Sequence, residues 1–187
     1  MQVKPTLSFV INYLKKYDKK GQTLLDIGCG TAQYRYVTES KYIGMDLTNE
    51  DYAPNFPRNV DLIGSAQNIP MEDSTCDVLF TVSAFYLIQD YKSALREFSR
   101  VLKPGGRLIL FDYNRRCQKR LAKLEGYSDI VLPFWTQWEL KNIVQQAGFN
   151  NCELLLKSGE DTSAFNKFIQ LLREELTGNW AIVTGTK

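Results

Sequence analysis

Histidine is absent from all 187 residues. This removes every mechanism built on a Ser-His or Cys-His pair, an imidazole base or a histidine metal ligand. Any proton handling falls to Asp, Glu, Tyr, Lys or water. The cysteines are sparse, with Cys29, Cys76, Cys117 and Cys152 standing 47, 41 and 35 residues apart. That spacing matches neither a zinc site nor a CxxC redox motif, so they read as reduced core thiols in a cytoplasmic protein, with no metal expected. Charge bias is also lacking: the formal net charge is +2, which implies no nucleic-acid partner and no membrane surface. No apolar run is long enough to span a membrane, and the opening MQVKPTLSFVINYLKKYDKKG lacks a small-residue cleavage site, so no membrane span or signal peptide is expected.

The residues that are present, 44% hydrophobic and 24% charged, are those of a soluble globular chain. At this length a single domain over 1–187 can bury a core without disulfides or metal. Leu7, Val10, Ile11 and Leu14 recur at helical spacing and predict a first helix ending by Gly21. Strand-like and helical runs then alternate. Strands are expected at 23–27, 41–46, 60–64, 76–82, 107–112, 152–157 and 180–184, and helices near 32–39, at 91–102, from Thr136 to Gly148 and around Phe165–Leu176. Thr136 with Glu139 forms a capping box, flanked by Trp135 and Leu140 as a hydrophobic staple would be. The alternation predicts an α/β fold, a mostly parallel doubly wound sheet with helices on both faces. Residues 47–59, with Pro54 and Pro57, read as a loop where a crossover helix is usual.

The run LLDIGCGTAQY (24–34) ends an apolar strand in an acid and two glycines. Glycine there permits a sharp turn and close approach of a ligand to the backbone. A dinucleotide fingerprint needs a third glycine where Gln33 stands, and no Gly-Lys-Ser or Gly-Lys-Thr follows for a P-loop. Asp46 ends the second predicted strand, eighteen residues after Gly28. Further on come GSAQNIPMEDSTCDVLF, LREFSRVLKPGGRLIL and TQWELKNIVQQAGF.

In this order, these segments resemble the class I S-adenosylmethionine-dependent methyltransferases, specifically their small-molecule, type 11-like subgroup, over roughly residues 20–150. The resemblance implies a Rossmann-like sheet of seven strands with the last antiparallel, and S-adenosyl-L-methionine as cofactor. It places the cofactor on Asp26, Gly28, Cys29, Gly30, Asp46, Leu47, Ser65, Ala66, Gln67 and Ser83. Asp26 would anchor the ammonium end, directly or through water, and Asp46 would accept both ribose hydroxyls. Three positions depart from the family: Ala32 replaces the third glycine of the loop, Ser65 stands where an Asp commonly receives the adenine amino group, and Tyr86 stands where a histidine follows the fourth strand. If Ala32 must adopt a left-handed backbone, the cost is about 1–2 kcal/mol.

Methyl transfer suits a chain without histidine, because an activated donor mainly needs its acceptor aligned. Groups just past the fourth and fifth strands overhang the methyl position, which selects Asp112 as candidate base and Tyr86 and Tyr113 as orienting groups. No N/D-P-P-Y/F/W motif follows the fourth strand, where Val82-Ser83-Ala84-Phe85-Tyr86 stands, and this counts against nucleic-acid methylation. The expected acceptor is a small molecule, first of all a sugar or metabolite hydroxyl. Arg115, Arg116, Lys119, Arg120 and Lys123 would form one basic stripe if 115–124 is helical, matching an anionic acceptor or simply a solvated face. A catalytically silent cofactor-binding partner protein and a nicotinamide oxidoreductase are the competing readings. The sequence carries no sign of oligomeric state.

Overall fold

A computed structural model describes residues 8–51, 57–115, 135–155, 166, 170–171 and 180–187. Helix α1 (Ser8–Tyr17) precedes β1 (Thr23–Ile27), β2 (Lys41–Asp46), β3 (Leu62–Ile63) and β4 (Cys76–Val82). Helix α2 (Tyr91–Val101) leads into β5 (Leu102–Tyr113), and helix α3 (Gln137–Gln146) into β6 (Asn150–Leu154) and β7 (Trp180–Thr186). The seven strands form one sheet in the order β3-β2-β1-β4-β5-β7-β6. The pairings from β3 through β5 are parallel, while β7 runs antiparallel to both β5 and β6. This is the doubly wound, Rossmann-like sheet with an antiparallel last strand that the sequence implies.

Alternation along the strands sends side chains to two cores. On one face Leu24, Val78, Phe80, Ile109, Phe111 and Ile182 meet Phe9, Val10, Tyr13 and Leu14 of α1. On the other, Leu25, Ile27, Leu79, Leu108, Leu110 and Val183 meet Ala94, Leu95 and Phe98 of α2 and Leu140 and Val144 of α3. Helices therefore cover both faces, and every parallel strand opens its carboxyl end toward the same edge.

Several expectations need correction. In place of a helix near 32–39 there is a single 3₁₀ turn, Arg35–Val37, because Ala32 takes φ +50° and a left-handed residue cannot start a right-handed helix. Strand β3 spans only Leu62–Ile63 instead of 60–64. Strand β5 begins at Leu102, through the Lys103-Pro104-Gly105-Gly106 stretch read as a helix stop. Leu102 pairs with Cys76, but the pairing with β4 then breaks until Arg107 meets Val78, and Gly105 takes φ +77°. The helix stop and the regular strand from 107 therefore stand as read, the turn being fastened by Gly105 N–H to Lys187 O and Lys187 N–H to Gly106 O. Strand β6 lies at Asn150–Leu154, two residues before its expected start. Asp90 caps α2, accepting from Ser93 N–H, and Thr136 and Glu139 form the expected capping box of α3. Trp135 stacks on Phe85 with ring centroids 5.3 Å apart and meets Tyr91 edge-on at 5.2 Å, which anchors the start of α3 on the core. The helix expected around 165–176 lies largely outside the described residues.

Candidate cofactor and active site

Gly28 follows β1 with φ +71°, and a Cβ there would come within 2.5 Å of the Ala84 Cβ. Only glycine lets the turn after β1 close on the turn after β4. Gly28 and Cys29 both donate their N–H groups to Met45 O, at 2.8 and 3.1 Å, fastening the loop to β2. Gly30, at φ +54°, has nothing within 4 Å of where its Cβ would be, so its backbone is open to a ligand. The third loop position, Ala32, is buried and left-handed, so the strain anticipated for it is present.

Asp46 closes β2 directly beside this loop. Its Oδ2 accepts the Gly30 N–H at 2.9 Å and its Oδ1 the Leu47 N–H at 2.8 Å. Arg58 Nη1 also reaches Oδ2, at 2.8 Å, and the two side chains are only 6% (Arg58) and 13% (Asp46) exposed. Leu47 projects next to it, 71% exposed, an apolar surface at the strand end. Ile63 pairs with Asp46, and Gly64 N–H donates to Asp46 O at 2.9 Å, which brings the turn at Ser65, Ala66 and Gln67 to the same edge. Ser65 Oγ accepts the Gln67 N–H at 3.2 Å; Ala66 is buried and Gln67 exposed.

Asp26 points to the α1 side of the sheet, where the Tyr42 hydroxyl donates to its Oδ2. The Arg35 guanidinium lies 4.7 Å from the Tyr42 ring centroid and donates to Asp61 Oδ2 at 2.7 Å, the oxygen that also accepts Gly44 N–H at 2.7 Å. Burial pushes the Asp26 carboxyl up to about 8, against the Tyr42 hydrogen bond and the Arg35 charge. Burial likewise drives the Cys29 thiol far above its ordinary range, so Cys29 acts as packing and not as a nucleophile.

The ends of β4 and β5 make the second half of the site. Ser83, at φ +55°, donates its N–H to Phe111 O at 2.8 Å and turns the chain toward Tyr86. Asp112 is fully buried, and its Oδ1 accepts the Tyr113 N–H at 2.8 Å. Burial pushes its carboxyl up to about 8, opposed by the backbone N–H groups of Tyr113 and Tyr86. Asp112 Oδ2 and Thr81 Oγ1 are both sealed from solvent, and among the described residues neither has a hydrogen-bond partner. The Tyr86 and Tyr113 rings meet edge-on at 5.9 Å, and Tyr113 packs on Trp180 at 4.5 Å. Asp112, which pairs with Ala181 across β5 and β7, meets this aromatic group through the backbone N–H groups of Tyr113 and Tyr86.

The sequence-derived candidates therefore gather at one edge of the sheet, Asp26, Gly28, Cys29, Gly30, Asp46 and Leu47 at β1 and β2, Ser65, Ala66 and Gln67 past β3, and Ser83, Tyr86, Asp112 and Tyr113 past β4 and β5. Tyr42, Arg58, Thr81 and Trp180 were not anticipated. The strand pattern KYIGMD held a signal for Tyr42, because period-2 alternation puts it on the face of Asp46; Arg58 had none. Of the basic stripe, Arg116, Lys119, Arg120 and Lys123 lie outside the described residues, and Arg115 Nη2 is paired with Glu139 Oε1 at 2.6 Å. Cys29, Cys76 and Cys152 are buried free thiols. Among the described residues no group of His, Cys, Asp or Glu is arranged to hold a metal, and no helix is long and apolar enough to cross a membrane.

An open glycine backbone, a carboxylate at the next strand end and an exposed leucine beside it suit a nucleoside carrying an amino-acid tail. The sheet order is that of the class I methyltransferase fold. A family model described as a methyltransferase domain matches residues 25–110. Demethylmenaquinone methyltransferase of Staphylococcus haemolyticus is 29% identical over 174 residues, covering 73% of this chain and 72% of its own length. A ubiquinone/menaquinone biosynthesis C-methyltransferase, UbiE, of Caulobacter vibrioides is 36% identical over 81 residues, 43% of this chain and 32% of its own. Among solved structures, YcgJ of Bacillus subtilis superposes with TM-score 0.68 at 19% identity, over 97% of both chains. Over this core the chain is similar to the class I S-adenosylmethionine-dependent methyltransferases of the type 11 group, and its cofactor is S-adenosyl-L-methionine.

Proposed function

We propose that the chain methylates a ring carbon of a small aromatic acceptor of the hydroquinone kind. The observation that carries this reading is the run of packed rings, Tyr86 on Tyr113 on Trp180, at the ends of β4 and β5, with the buried Asp112 carboxyl held by the backbone N–H groups of Tyr113 and Tyr86. Flat aromatic walls favour a flat apolar acceptor over a hydrated sugar. Support also comes from the demethylmenaquinone methyltransferases, 27–29% identical in several staphylococci. A quinol ring thereby displaces the sugar hydroxyl as the favoured acceptor.

When bound, S-adenosylmethionine supplies a methyl group on a positively charged sulfur. The Gly30 backbone and Asp46 would hold the nucleoside, and Asp26 would take the ammonium end, whose positive charge favours the ionised carboxylate over the neutral acid that burial favours. Asp112 would take the ring hydroxyl proton as the ring carbon gains the methyl group in place of the sulfur; the ring C–H proton would then pass to water, restoring aromaticity, and Asp112 would return its proton to the ring oxygen. With its carboxyl pushed up to about 8, the ionised fraction, about a tenth at pH 7, is the base, and it is a far stronger one than an ordinary aspartate. Tyr86 and Tyr113 orient the ring by packing.

The test supplies tritium-labelled S-adenosylmethionine with a reduced short-chain demethylmenaquinone analogue and, separately, with sugar nucleotides. Label in the quinol is the expected result. Label only in the sugars overturns the acceptor assignment, and S-adenosylhomocysteine binding without turnover of any acceptor favours a silent binding protein.

A further inference from the structure

We propose that Arg58 is a competitor built into the chain for the carboxylate that receives the donor's ribose, so that its guanidinium must leave Asp46 Oδ2 before the donor seats. The proposal rests on the reading of Asp46 as ribose acceptor.

A carboxylate offers about four acceptor positions. In Asp46 the Leu47 N–H takes one on Oδ1 and the Gly30 N–H one on Oδ2, while Arg58 Nη1 stands 2.8 Å from Oδ2 as an ion pair rather than a hydrogen bond. Two neighbouring ribose hydroxyls need both remaining positions, and the guanidinium stands on the approach to the one at Oδ2. Releasing Arg58 clears it. Steric conflict points the same way, since the guanidinium stands 2.8 Å from the oxygen that a hydroxyl would approach.

The backbone delivers Arg58 to this place. Arg58 N–H donates to Asp51 Oδ1 at 2.8 Å, Asn59 N–H to Gly30 O at 3.1 Å, and Arg35 Nη2 to Asn59 O at 3.3 Å. The segment that bears the guanidinium is therefore tied to the same glycine loop that the donor uses. With side chains 6% and 13% exposed, the pair is little screened by salt. A ligand that binds only the open form has its apparent affinity reduced by the fraction of open protein. The same guanidinium, once displaced, is free to return as product leaves.

The experiment titrates S-adenosylhomocysteine by calorimetry into the full chain, Arg58→Gln, Asp46→Asn and the double variant. Arg58→Gln should bind at least about threefold more tightly, because the open fraction rises toward one. Asp46→Asn should bind about tenfold more weakly in either background. Equal or weaker binding by Arg58→Gln, with Asp46→Asn still weakened, overturns the competition and makes Arg58 either inert or a holder of the ribose. Unchanged binding by Asp46→Asn in both backgrounds overturns the ribose reading itself. If Arg58→Gln does not fold, the guanidinium NMR signals of Arg58, assigned with Arg58→Lys, give the answer in the unmodified chain. Displacement requires them to shift on saturation with S-adenosylhomocysteine, and unmoved signals overturn the proposal.

Discussion

Tyr42 on β2 donates its hydroxyl proton to Asp26 Oδ2 on β1, a hydrogen bond between neighbouring parallel strands at the mouth of the glycine loop. Both residues are buried, Asp26 to 2% exposure and Tyr42 to 9%. A hydrogen bond to a charged group contributes about 1.5–3 kcal/mol and one to a neutral group about 1 kcal/mol. Tyr42→Phe should therefore cost about 1.5–3 kcal/mol in urea unfolding above pH 8, where Asp26 is ionised, and less at pH 6. A cost independent of pH would mean that the hydroxyl does not serve the carboxylate.

Stability should fall as pH rises from about 4 to about 8. Asp26 and Asp112 keep their protons up to about 8 in the folded chain, whereas an unfolded aspartate loses its proton near 4. Across that window the folded state binds more protons, so raising pH favours unfolding. Asp77, Glu97 and Glu139 have the opposite sign. Burial opposes the charged form of each, but Lys103 and Thr23 around Asp77, Arg100 and Ile69 around Glu97, and Thr136 and Arg115 around Glu139 hold them below the ordinary range. Their contribution is present above about 4.5 and is lost on acidification. Melting temperature against pH should peak in mild acid, and Asp112→Asn should flatten the alkaline side of the peak.

The two loop glycines should separate folding from binding. Gly28→Ala forces a Cβ to 2.5 Å from the Ala84 Cβ and should destabilise the whole domain. Gly30→Ala meets nothing within 4 Å and should cost only its backbone strain, about 1–2 kcal/mol, while obstructing the donor. Thermal melts with and without S-adenosylhomocysteine check this: Gly30→Ala should fold yet lose the ligand-induced shift.

Asp112→Asn keeps size and hydrogen-bonding capacity but removes basicity. It should lower kcat by at least about a hundredfold and leave S-adenosylhomocysteine affinity unchanged. In the unmodified chain kcat/KM should rise with pH toward about 8, and the variant should lose that rise. Near-normal kcat in the variant would assign catalysis to alignment alone.

The strand ends were legible because parallel strands carry continuous apolar runs, and the glycine pair and Asp46 punctuate them at the edge where a ligand binds. Relationships that depend on two distant segments meeting were not. The Arg58–Asp46 pair joins a loop to a strand end, and nothing in the residues 47–59 announces it. The turn at Gly105 and Gly106 was legible, since Gly105 takes φ +77° there, but its fastening by hydrogen bonds to the distant Lys187 was not. The 3₁₀ turn at Arg35–Val37 was missed for a conformational reason, since an alanine gives no sign that the loop holds it at φ +50°.

The crystal structure of the S-adenosylhomocysteine complex tests the central claim most directly. The account expects the ribose hydroxyls on Asp46, with Arg58 displaced, the nucleoside against Leu47, the tail along Gly28 and Gly30, and the sulfur facing Asp112 and Tyr86. A ligand seated away from the ends of β1 and β2, with the Arg58–Asp46 pair intact, would contradict it.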